Sequence, residues 1–99
     1  MELEKLKIFL VVAELCSISD AADKLYISHS TVSRAVSSLE TELGTELIRR
    51  TNRCTALTPA GMVLREEAKA LLAAAEQAAE KVRSAGEQDT QKELTENGN

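Results

Sequence analysis

The stretch from Ser28 to Leu43 carries two faces of opposite character. Val32, Val36, Leu39 and Leu43 recur at spacings of 4, 3 and 4, while Ser30, Ser33, Arg34 and Ser37 recur at 3, 1 and 3. At about 100° per residue the two sets fall on nearly opposite sides of a helix. One side demands a core. The other is short and polar, carries one guanidinium, and lacks the Glu/Lys mixture that usually solvates an outward face. A helix of this kind can lie close against another polar surface. The major groove of double-stranded DNA, with its hydrogen-bonding base edges, is the surface that fits.

The residues before this segment supply a second helix and a tight turn. Ser17-Ile18-Ser19-Asp20 breaks an earlier apolar stretch and offers an N-cap hydroxyl with an acid in the first turn. The helix it starts runs through Ala21, Ala22 and Leu25 to about Tyr26, and Ser28 caps the next one. Helix, tight turn and helix make a helix-turn-helix, and the small Ala21 and Ala22 suit a close crossing. Upstream, Glu2 to Cys16 reads as a helix with two apolar stripes, Leu3, Leu6, Leu10 and Ala13 on one and Ile8, Val11, Val12 and Leu15 on the other. A helix so apolar is covered on two sides, one expected to be its own core and the second a partner subunit.

Gly44 provides a left-handed stop for the two-faced helix. Leu47-Ile48-Arg49-Arg50 and Thr55-Ala56-Leu57 then read as short strands around the turn Thr51-Asn52-Arg53-Cys54, forming a hairpin wing. Thr58-Pro59 starts another helix with a cap hydroxyl and a first-position proline. In it Leu64, Ala68, Leu71, Ala75, Ala78 and Val82 recur in heptad spacing, which predicts a seam pairing with a second copy of the same helix. Gly86 is expected to end that helix, and the polar composition after it predicts a disordered tail. The fold class expected is mainly α: a winged helix-turn-helix over residues 1–58, a linker and dimerisation helix over 59–85, and a polar tail over 86–99.

Charge and cysteine content bound the function. The formal net charge of −4 is awkward for a nucleic-acid binder, yet it is unevenly distributed. Residues 62–99 hold five Lys/Arg against eight Asp/Glu, whereas from Ser28 to Arg53 there are four Arg against three Glu. Local clustering matters more than net charge for phosphate contact. Cys16 and Cys54 stand 38 positions apart with no Cys or His at metal-ligand spacing, which argues against a zinc module or a disulfide scaffold. Cys16 is expected in the core and Cys54 inert on its turn. No apolar run suits a membrane span, no secretory signal is visible, and a soluble cytoplasmic setting is expected. No Ser/His/Asp set, carboxylate pair or phosphate loop supports an enzyme, and no cofactor or metal is implied.

Read together, Phe9, Val12-Ala13-Glu14, Ser17, Ala21-Ala22, Leu25, Ser28, Val32-Ser33-Arg34, Leu39-Glu40, Glu42-Leu43-Gly44, Leu47, Arg50-Thr51, Arg53, and Leu57-Thr58 with Ala60-Gly61 resemble the LysR-type transcriptional regulators. The resemblance spans roughly residues 1 to 84. It implies an N-terminal winged helix-turn-helix that binds DNA, followed by a dimerising linker helix. Arg53, at the wing tip, would then reach the minor groove or its walls. Three departures stand out. His29-Ser30 replaces the Gln-Pro common at the start of the recognition helix, so the bases read there do not carry over. Ile48 occupies a position where the family often has Phe. The effector-binding domain of relatives is missing, so no small-molecule effector site is expected in this chain.

The candidate DNA-binding residues are Ser28, His29, Ser30, Thr31, Ser33, Arg34, Ser37, Arg50 and Arg53. Arg34 can bond guanine O6/N7 with two N–H groups or grip a phosphate; its bland alternative is a solvated helix arginine. The serines permit close approach, and His29 offers a donor and an acceptor in the first helical turn, although a lone histidine is more often incidental. Arg49 and Arg50 alternate along a strand, so at most one faces DNA, and Arg50 is the choice. The function expected is operator recognition by a homodimer. The rival is a truncated regulator acting by heterodimerisation with full-length relatives, and a third reading makes the chain a fragment of a longer regulator.

Overall fold

A computed structural model describes residues 1–51 and 54–97, with side chains through residue 88. Its elements follow the caps in the sequence: α1 (Leu3–Leu15), α2 (Ile18–Leu25), α3 (His29–Leu43), β1 (Ile48–Arg50), β2 (Thr55–Leu57) and α4 (Pro59–Asn97). Ser17 Oγ accepts from the Asp20 N–H at 3.0 Å and Ser28 Oγ from the Thr31 N–H at 3.1 Å. Each bond satisfies one of the donors left orphaned at a helix start. Gly44 closes α3 at φ 70°, as its missing Cβ allows. Cys16 and Tyr26 close α1 and α2 in the same left-handed region, where a side chain is strained.

Helix α1 divides the core in two. Ile8 and Val12 pack with Ile18, Ala21 and Ala22 of α2 and Val32, Ala35 and Val36 of α3. Leu6, Phe9 and Ala13, turned the other way, pack with Leu39, Leu47, Leu64 and Ala68. Phe9, Leu6, Leu39 and Leu47 are among the largest fully buried side chains, each contributing about 1.5–3 kcal/mol by burial. This arrangement corrects two expectations. The second side of α1, expected against a partner, is covered at Leu6 and Ala13 by α3, Leu47 and the start of α4 within the same protomer, while Leu3 stays 45% exposed. Leu64 and Ala68, read as dimerisation residues, belong to that core, Ala68 with no exposure at all. The heptad spacing is real there, but its first two positions face α1.

The strands pair antiparallel, with Ile48 opposite Leu57, Arg49 opposite Ala56 and Arg50 opposite Thr55. Glu40 and Thr58 both help to hold this hairpin to the helices. Glu40 Oε2 accepts from the Leu47 N–H at 2.7 Å and, more weakly, from the Ile48 N–H at 3.4 Å. Buried Thr58 donates to the Glu46 carbonyl at 2.6 Å, accepts from the Gly61 N–H at 3.0 Å, and donates its own N–H to the Leu47 carbonyl. Gly61 is pressed so tightly on Leu47 that a Cβ there would collide with the Leu47 carbonyl oxygen.

Three further differences have local causes. Leu43, read as inward, is 41% exposed, because the last turn of α3 runs past its packing partners. Cys16, expected in the core, is exposed: the left-handed cap turns it off the buried face of α1. Helix α4 continues through Gly86 to Asn97, where a stop and a disordered tail were expected. Glycine terminates a helix by adopting a positive φ, and Gly86 does not; in a helix interior it only weakens the segment, by about 1 kcal/mol.

Candidate nucleic-acid interface

The outward side of α3 is built by subtraction. With Val32, Ala35, Val36 and Leu39 buried, Ser30, Arg34 and Ser37 are exposed and Ser33 is half-buried. His29 and Thr31 are exposed in the first turn, beside the N-cap Ser28. The hydroxyls of Ser28 and Thr31 are hydrogen-bonded to each other at 2.7 Å, so both stiffen the helix start at which N–H groups face outward.

Arg34 makes no hydrogen bond or ion pair among the described residues. Elsewhere the cations are mostly engaged. Lys5 donates to Ser38 at 2.8 Å and lies 3.5 Å from Glu2, and Arg49 stands 4.0 Å from Glu46. On α4, Arg65 and Lys69 flank Glu66, and the hydrogen bond from Lys69 with its charge holds that carboxyl below the usual carboxylate range. The polar face of α4 is thus largely self-neutralised, whereas α3 presents an uncommitted guanidinium.

The wing adds a second cation to this face. Arg50 donates from its guanidinium to Ser33 Oγ at 2.9 Å, joining β1 to the middle of α3. Between them opens a cavity of about 420 Å³, lined by Ser33, Ser37, Glu40, Glu46, Arg49 and Arg50. Ser33, Ser37 and Arg50 therefore share one cleft, while Arg34, on the same exposed side of α3, lines a second cleft with Glu2, Glu4, Lys5, Thr31 and Ser38. The hairpin is closed by Thr51, whose N–H and hydroxyl both donate to the Cys54 carbonyl. Arg53, the predicted wing-tip residue, lies outside the described residues.

Of the predicted seam, Leu71 and Val82 are 41% and 72% exposed, Ala78 is exposed and Ala75 half-buried. No helix among the described residues is long and apolar enough to cross a membrane.

Two residues near α3 were given no role by the sequence. Glu40 aims the wing from α3; its signal was a glutamate with no basic residue three or four positions away. Tyr26, in the turn that leads to α3, is 94% exposed. Its signal in the sequence is an aromatic just where α2 must end.

The family model described as bacterial regulatory helix-turn-helix protein, lysR family, matches residues 3–62. Over 71 residues, 72% of this chain, the sequence is 42% identical to the uncharacterized HTH-type transcriptional regulator YhjC of Escherichia coli K12. Over 73 residues it is 40% identical to the HTH-type transcriptional regulator TfdT of Cupriavidus pinatubonensis. The chain spans 24% and 32% of the lengths of these two relatives. Among solved structures, a CbnR_DBD-DNA complex superposes with a TM-score of 0.84 at 35% identity, covering 87% of this chain and 99% of that one. Helix order, hairpin and sequence agree, and the chain belongs to the LysR family of bacterial regulatory helix-turn-helix proteins.

Proposed function

We propose that this domain binds double-stranded DNA as a homodimer at a two-fold operator, with α3 in the major groove. The observation that carries the reading is the outward face of α3, where Ser30, Ser37 and an Arg34 unpaired among the described residues are exposed, with half-buried Ser33 bonded to the wing's Arg50. Arg34 and Ser33 read base edges; His29 and Ser30 add contacts at the first turn. Ser28, Thr31 and the N–H groups of the α3 start hold a phosphate, Ser37 and Arg50 flank the groove, and Arg53 approaches the minor groove. The phenol of Tyr26 supplies a further phosphate donor. Similarity to a protein solved in complex with DNA supports the same docking. Such a role belongs in the bacterial cytoplasm, on the nucleoid, and calls for no catalysis.

The dimer rests on the part of the α4 seam that the protomer leaves uncovered, Leu71, Ala75, Ala78 and Val82. Fluorescence polarisation with labelled promoter DNA at two salt concentrations tests the proposal. The affinity is expected to fall steeply as salt rises, since each neutralised phosphate releases counterions. Absence of binding by the homodimer, with DNA binding by a full-length relative lost on mixing, would replace this reading with heterodimeric interference.

A further inference from the structure

The two cysteines, 38 positions apart in sequence, meet at one cleft. Cys16 ends α1 and Cys54 precedes β2, and both are exposed free thiols. A cavity of about 270 Å³ is lined by both, together with His29, Arg50, Thr51 and Thr55. The left-handed turn at Cys16 directs its carbonyl at the wing, where it accepts the Thr55 N–H at 3.0 Å. Chain geometry around that bond keeps the two Cα atoms within about 8 Å. A disulfide spans ~4.4–6.8 Å between Cα atoms, so a small shift closes the gap. Neither sulfur is locked in place: Cys16 Sγ lies 3.7 Å from the Ala13 carbonyl, and Cys54 Sγ lies 3.7 Å from Thr51 Oγ1.

We infer that Cys16 and Cys54 are a redox-modification site, forming an intramolecular disulfide that clamps the wing to the α1–α2 junction. The oxidant is a low-molecular-weight disulfide. One cysteine thiolate attacks it, forming a mixed disulfide and releasing one small thiolate. The second cysteine thiolate attacks the protein sulfur of that mixed bond and releases the other. Two protein thiols are oxidised, the small disulfide is reduced to two thiols, and the protons pass to the leaving thiolates. The consequence for DNA rests on the function proposed above. Drawing Cys54 toward Cys16 shifts the end of the hairpin that carries Arg50, which lines the same cleft and now bonds Ser33. Affinity for DNA falls on oxidation and returns with dithiothreitol.

The experiment titrates the full chain with glutathione disulfide against glutathione. The oxidised product is expected to lose two hydrogens by mass, with no added glutathione and no free thiol. It should remain a single chain on a non-reducing gel and unfold at a higher temperature, as a closed loop predicts. Cys16→Ser and Cys54→Ser, both at exposed positions, should stay reduced in the one remaining thiol or carry glutathione. Glutathione adducts or bonds between two copies as the only products of the wild type would overturn the site. DNA affinity unchanged by a formed disulfide would overturn its regulatory role. A reduced protein that does not bind DNA would instead sink the function proposed above, while mass and gel still decide the disulfide.

Discussion

At the scale of the residue, conformation and pairing decide which side chains are free to act. Arg34 projects from α3 with no partner among the described residues, while Arg50 is already bonded to Ser33. Arg34→Ala is therefore expected to cost ~1–3 kcal/mol of specific DNA binding with little change in stability. Polarisation with matched and scrambled duplexes checks this, and equal losses on both would make Arg34 a phosphate contact. Cys16 is a different case, since its φ of 53° favours glycine. Under reducing conditions Cys16→Gly is expected to raise stability by up to about 1 kcal/mol, read from urea unfolding. The outward placement of Ser30, Arg34 and Ser37 was legible from spacing alone. The exposure of Cys16 was not, because an apolar helix end gives no sign that its last residue turns left-handed and leaves the core.

At the scale of the element, the junction between wing and linker helix leaves no room for a side chain at Gly61. Thr58 bonds to Glu46, Leu47 and Gly61, and Gly61 lies against the Leu47 backbone. Because the obstacle is a main-chain carbonyl, Gly61→Ala cannot be absorbed by a rotamer change. A loss of roughly 1–3 kcal/mol is expected, visible as a lower melting temperature and weaker DNA binding. Periodicity placed the helices and hairpin well because each has its own cap or turn residues. It assigned Leu64 and Ala68 to the wrong neighbour, since a heptad stripe records that a face is buried and not which surface buries it. It also stopped α4 at Gly86, where glycine stays helical. Glu40 went unread as the wing's anchor because its bond to Leu47 depends on how the chain turns after Gly44.

At the scale of the whole molecule, α4 extends well past the globular core, giving a longest dimension of 70 Å against 25 and 19 Å across. Leu72 packs at the edge of the core, whereas Leu71 and Val82 stand exposed among the described residues. If these hold the dimer, Leu71→Asp with Val82→Asp should yield folded monomers in sedimentation, with DNA binding weakened because the two recognition helices are no longer held together. Two helices so held read half-sites one duplex turn (~34 Å) apart, or a multiple of it. Selection of bound duplexes from a random library tests that geometry most directly. The account predicts enrichment of inverted half-sites at that spacing, lost when Arg34 is replaced by alanine. Enrichment of no sequence at all, or of the same sequences by the alanine variant, would contradict it.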